Sequence, residues 1–254
     1  MKLANRTVLI TGGTSGIGLE LARQLLARGN VVIVTGRDTQ RLDAAKRALP
    51  SVHTFRSDVS EPRAIAALHD TVLAQFPLLD TLVSNAGIMR NLDLREDRDL
   101  DDVTREIEIN LCGPVRMVQQ FLPHLTTRSS ALIVNVSSLL AYVPLPIAPV
   151  YSATKAGLHA YTQSLRVQLA GTSVTVVELA PPGVETPLFR GEFAEEMKGQ
   201  HAMDVTELAR QAIAGIEKGK LEIRPGLANV VRVMSRIAPG FMLRQMAGLS
   251  KRKS

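Results

Sequence analysis

A chain of 254 residues that is 45% hydrophobic and 21% charged can bury one large α/β core. Its net charge of +6 belongs to one end, because seven basic residues and no acidic one follow Glu222; the balanced remainder shows no basic, aromatic-interleaved face for nucleic acid. One cysteine, Cys112, excludes an internal disulfide and a cysteine-clustered metal site, and no apolar run is long enough to span a bilayer.

In chain order, Thr7-Val8-Leu9-Ile10 reads as a first strand. It lies so early in MKLANRTVLI that no room is left for a signal peptide, so a cytoplasmic location is expected. Residues 19–26 carry apolar positions three and four apart, a helix that Gly29-Asn30 stops before a second strand, Val31-Val32-Ile33-Val34. Further strands are expected at 52–56, 80–84, 131–136 and 174–179, with helical stretches between them. Apolar strands separated by helices predict a parallel sheet covered on both faces with right-handed crossovers. The expected architecture is therefore α/β: one Rossmann-like, doubly wound domain over residues 1–225, followed by a basic, apolar tail over 226–254.

The segment Thr11-Gly12-Gly13-Thr14-Ser15-Gly16-Ile17-Gly18 falls between the first strand and the first helix. Glycines there let the backbone turn tightly and approach a pyrophosphate, which the positive helix end then holds. Tyr151 and Lys155 stand four apart in a helix-compatible stretch reaching about Leu169, so both side chains share one face. A tyrosine titrates near pH 10. A neighbouring ammonium and an oxidised nicotinamide are expected to lower that value by about 2–3 units, enough for general acid–base work near neutrality. Ser138, at the end of the strand 131–136, lies where functional side chains gather in an open parallel sheet, with Ser137 as its competitor.

The spacing of Gly12, Gly16 and Gly18 is G-x-x-x-G-x-G, which resembles the short-chain dehydrogenase/reductase family. Four more landmarks follow in order over roughly residues 5–190: Asp58-Val59, Asn85-Ala86-Gly87, the set Asn110, Ser138, Tyr151 and Lys155, and Pro182-Gly183 with Thr186. The resemblance implies that Gly12, Thr14, Ser15, Gly16, Ile17 and Gly18 cradle the phosphates. It places Asp58 and Val59 at the adenine, Asn85, Ala86 and Gly87 along the cofactor cleft, and Pro182, Gly183 and Thr186 beside the nicotinamide. It also implies a catalytic tetrad: Ser138 binds the substrate oxygen, Tyr151 transfers the proton, Lys155 grips the nicotinamide ribose, and Asn110 holds a water relaying protons to Lys155. Ala141 departs from the glycine common in relatives and is expected to alter loop shape only. The five histidines, at 53, 69, 124, 159 and 201, have no ligand spacing and read as surface or packing residues, so no metal is expected.

After the second strand the sequence runs Thr35-Gly36-Arg37, without the carboxylate that NAD-users place there. Arg37 suits a 2′-phosphate, so NADP is the expected cofactor, with NAD the alternative. Leu188, Phe189, Phe193 and Met197, within residues 184–203, suit an amphipathic lid, with Leu139, Leu140, Val143 and Ile147 as an opposing apolar wall. The expected reaction is hydride transfer between the cofactor and a mainly apolar carbonyl or alcohol; the alternative is a catalytically silent dinucleotide sensor or scaffold of the same fold. Small residues Ala153, Ala156, Gly157 and Ala160 permit close helix approach, and the resemblance implies pairing through this helix and the one near 101–121, which Pro114 should distort, so a homodimer or homotetramer is expected. The tail has two readings, a cap over the substrate side or a segment in peripheral contact with the inner membrane face. Three segments, at residues 8–22, 178–187 and 219–223, resemble the DltE-type branch of the family.

Overall fold

A computed structural model of the protein describes residues 2–196, 198–199 and 201–250. Its elements in chain order begin with β1 (Thr7–Thr11), α1 (Gly16–Leu26), β2 (Val31–Gly36), α2 (Thr39–Ala48), β3 (His53–Arg56), α3 (Pro62–Gln75) and β4 (Leu79–Ser84). There follow α4 (Leu100–Ile107), α5 (Gly113–Thr126), β5 (Ala131–Val136), α6 (Pro149–Gln168), β6 (Val174–Leu179) and α7 (Pro187–Arg190). The chain then forms α8 (Val205–Glu217), β7 (Glu222–Ile223), α9 (Ala228–Ile237) and α10 (Pro239–Ser250). Among the described residues the strands make one seven-stranded sheet, ordered β3-β2-β1-β4-β5-β6-β7, and every pairing is parallel. The doubly wound α/β expectation is met, and the six foreseen strands lie within two residues of their expected bounds. β7 was not foreseen, since two residues paired with Glu178 and Leu179 carry no periodicity.

The sheet is apolar on both faces because helices cover both. All of β1 and β5 is buried. On one side Leu21, Ala22 and Leu25 of α1 pack with Leu208, Ala212 and Ile213 of α8. On the other, Ile65, Leu68 and Val72 of α3 meet Met117, Phe121 and Leu125 of α5 and Leu165 of α6. A third cluster, Leu140, Leu145, Ala148, Tyr151 and Phe193, with Met246 of α10 against it, sits beyond the carboxyl edge of the sheet.

Local chemistry sets the element ends that matter to the site. Asp38 caps α2 by accepting the Arg41 N–H at 3.2 Å, and Pro149 opens α6, where a missing N–H costs nothing. Pro114 distorts its helix as expected. Lacking an N–H and clashing with the carbonyl four residues back, it forces a π-turn over Glu108–Cys112, with Asn110 at its centre. Cys112, in that turn, is half-buried, and burial pushes its thiol up. Among the described residues no helix is long and apolar enough to cross a membrane. Met197 of the expected lid and the terminal Lys251-Arg252-Lys253 lie outside the described residues.

Candidate active site

A cleft of about 890 Å³ opens at the carboxyl ends of the strands, where the strand order reverses between β1 and β4. Gly12, Thr14, Ser15, Gly16 and Ile17 form one wall, and Arg37, Asp58 and Val59 its far end. Asn85, Ala86 and Gly87 form the floor, with Pro182, Gly183 and Thr186 opposite. Ser138, Tyr151 and Lys155 line it as well. Gly18 and Asn110 do not face the opening but stand behind its wall and shape it.

Backbone contact explains two of the glycines. Gly12 takes φ +64°, and a β-carbon there would lie 2.7 Å from the Ala86 Cα. A β-carbon on Gly18 would meet the Asn85 Nδ2 and the Gly12 carbonyl oxygen, each at 2.5 Å. The two loops therefore touch backbone to backbone, and Asn85 locks them by donating from Nδ2 to the Thr11 and Gly12 carbonyls at 3.0 Å. The cradle left at the start of α1 fits a pyrophosphate, because it presents amides and helix end with no side chain in the way.

At the far end Asp38 is occupied twice, by capping α2 and by pairing with Arg41 at 3.8 Å. Arg41 lines the cleft beside Arg37 and was missed in the sequence, where only its fold neighbours reveal it. Asp58 accepts from the Ser60 N–H and hydroxyl at 3.0 and 2.7 Å, which holds its loop against the cleft.

Tyr151 and Lys155 share one face of α6, with Lys155 Nζ 5.5 Å from the phenol ring centroid. Nζ donates to the Val136 carbonyl at 2.9 Å, which ties α6 to the end of β5. Burial pushes Tyr151 up to about 12, against a downward pull from its hydrogen bond with Ser138, and the Glu106 carboxylate adds to the rise. Burial also lowers Lys155 to about 8. Removal from water thus dominates both groups, favouring the protonated phenol and easing loss of the Lys155 proton. Ser137 and Ser138 are separated by their partners: Ser137 donates to Glu178 at 2.5 Å, whereas Ser138 meets the phenol. Asn110 clasps the loop after Gly87: its Oδ1 accepts the Ile88 N–H at 2.9 Å, and its Nδ2 donates to the Ile88 carbonyl at 2.8 Å.

On the remaining side Leu188, Phe189, Leu139 and Leu140 line the opening, together with Met89, Leu145 and Met203. Phe193 is fully buried beneath them, and Val143 and Ile147 are set back from the cleft, with Leu145 in the place expected of them. Leu227, Val231 and Met246 of the C-terminal segment complete the wall. Two histidines add detail to the surface-or-packing reading. His201 is exposed at the cleft mouth, and half-buried His159 packs against Tyr142 and bonds the fully buried Glu178 at 2.7 Å.

The model of the short chain dehydrogenases matches residues 6–197. The chain belongs to the short-chain dehydrogenase family and is an NAD(P)-dependent oxidoreductase. Over 224 residues it is 43% identical to the uncharacterized oxidoreductase DltE of Bacillus subtilis (strain 168), covering 88% of this chain and 89% of that one. It is 34% identical over 244 residues to the cis-4-hydroxycyclohexanecarboxylate dehydrogenase of Sinomonas cyclohexanicum, covering 94% and 93%. A solved short-chain dehydrogenase from Sphingobium yanoikuyae in complex with NADPH superposes with a TM-score of 0.80 at 26% identity, over 98% of this chain and 97% of that one.

Proposed function

We propose that this protein is an NADP-dependent oxidoreductase that interconverts a mainly apolar carbonyl compound and its alcohol, with Tyr151 as the general acid and base. The observation that carries the reading is the placement of Tyr151 and Lys155 on one face of α6 inside the cleft, with Ser138 bonded to the phenol. When bound, the nicotinamide supplies hydride to the carbonyl carbon in reduction and takes it up in oxidation. Ser138 holds the substrate oxygen, and Tyr151 donates its proton as negative charge develops there. A phenol held up near 12 is protonated at neutral pH, the form that reduction requires. Lys155 would hold the ribose hydroxyls while its charge offsets that of the phenolate left behind. Asn110 keeps the Gly87–Ile88 turn in place beside Lys155.

Arg37 and Arg41 would receive a 2′-phosphate, while Asp38, which also lines that end, accepts the Arg41 N–H as the cap of α2. The NADPH bound by the Sphingobium relative supports that preference. Toward the substrate the walls are apolar, and among the described lining residues the arginines stand only at the adenosine end. A neutral ketone or aldehyde fits this better than a carboxylate. The helices α9 and α10 cap that end through Leu227, Val231 and Met246. The exposed small residues Ala153, Ala156 and Ala160 on the outer face of α6 offer a close-packing surface to a second copy.

NADPH and NADH oxidation against a panel of ketones and aldehydes tests the reading. Turnover with NADPH in preference to NADH is expected. Tyr151→Phe should lower kcat by about 10²–10⁴-fold while NADPH still binds. Full activity in that variant would take the proton transfer away from Tyr151, and NADPH binding with no turnover anywhere in the panel would favour a silent dinucleotide sensor.

A further inference from the structure

The helix α9 is apolar on two opposite sides. Ala228 is fully buried and Val231 faces the cleft, as a cap requires. Val230, Val233 and Ile237, at i, i+3 and i+7, share the other side and are 57%, 46% and 74% exposed. Leu227, one turn earlier, and Phe241 and Leu243 of α10 are exposed too. A helix apolar on both sides belongs between two apolar neighbours, and its own fold supplies one.

Charge says what the other neighbour is. From Ile223 onward the chain has seven basic residues and no acidic one. Arg224 and Arg232 pair with Glu222, a single carboxylate that Arg166 shares. Arg236 and Arg244 have no ion-pair partner among the described residues, and both are exposed. A symmetric pairing with a second copy would bring these like charges together with nothing to offset them. Nucleic acid would answer the charge but not the apolar row. A surface both apolar and anionic answers both, and an anionic lipid bilayer has that chemistry.

We propose that the outer face of α9 and the start of α10 is a docking surface for an anionic membrane. Val230, Val233 and Ile237 enter the acyl boundary while Arg236 and Arg244 meet lipid phosphates. The inner face of the same helices walls the substrate end of the cleft, so docking sets that end toward the bilayer. The proposal goes beyond the oxidoreductase reading and is tested without turnover, so either can fail alone.

The test is co-sedimentation of the full chain with vesicles of phosphatidylcholine alone or mixed with phosphatidylglycerol. Capture by the mixed vesicles, weakened by salt, with little capture by phosphatidylcholine, is expected. A Val233→Glu/Ile237→Glu variant, changed only at exposed positions, should keep its melting temperature and NADPH binding and lose vesicle affinity about tenfold or more. No capture by mixed vesicles, equal capture by both kinds, or unchanged capture of the variant overturns the proposal. So does light scattering in which the variant breaks up an oligomer formed by the unaltered chain, because the row would then cover a second copy.

Discussion

Glu106 is fully buried on α4, one turn before Asn110, and nothing in the sequence marked it. Its Oε1 accepts the Arg90 N–H at 3.1 Å, and its Oε2 has no partner among the described residues. Burial pushes its carboxyl up to about 7, from an ordinary value of 4.5. Between those two values the folded protein keeps a proton that the unfolded chain releases. Stability must therefore fall as pH rises through that window and stay lower above it. Glu106→Gln, which retains the bond to Arg90 and cannot ionise, is expected to raise stability above pH 7 by on the order of 2 kcal/mol. Below pH 4.5 the two proteins should melt alike. Melting curves from pH 4 to 9 decide it, and parallel pH profiles for the two proteins would refute the assignment. The same charge adds to the rise of Tyr151, so the variant should also ease phenolate formation. Such a carboxylate is invisible in sequence because its effect depends on burial by a loop that lies sixteen residues earlier in the chain.

Among the elements, the turn from β1 into α1 was legible because its constraints are local: glycine where φ is positive or no β-carbon fits, then a helix start. Replacing Gly12 by Ala tests that directly. The added carbon meets the Ala86 Cα at 2.7 Å and the backbone keeps φ +64°, so the two loops must separate. A loss of about 1–3 kcal/mol in stability is expected, with a larger proportional loss of NADPH affinity than of melting temperature. Isothermal titration beside thermal melting checks it; wild-type affinity in the variant would show that the loop contact is dispensable. The strands were legible as well, because burial on both faces writes them as uninterrupted apolar runs. Elements that depend on distant partners were not. β7 exists because Glu222 and Ile223 reach β6, and Arg41, Leu145, His201 and Met246 join the cleft only once the helices are in place. Phe193 and Ile147 show the reverse error, since apolar spacing alone does not separate a lining side chain from one packed just beneath it.

For the molecule as a whole, the outer side of α6 connects the site with assembly. The buried side of this helix carries Tyr151, Thr154, Lys155, Leu158 and Thr162, and the other exposes Ala153, Ala156, Ala160 and Val167. Gly157 belongs to neither use, because a β-carbon there would touch Leu111 of the same chain at 3.1 Å. The π-turn over Glu108–Cys112 is joined to it by Asn110 donating to Thr154 at 3.3 Å, so a partner resting on α6 would stiffen the helix that carries the proton-transfer pair. Light scattering of the unaltered chain is expected to give two or four times the 27.5 kDa of one chain. Ala156→Arg places a long charged side chain in the middle of the small-residue face without touching the cleft. It should reduce the mass to that of one chain and lower kcat more than NADPH affinity, since α6 and not the glycine loop loses its support. A single-chain mass for the unaltered protein, or an undiminished mass in the variant, would take this face out of the assembly and leave the rigidity of α6 to Lys155 and Asn110 alone.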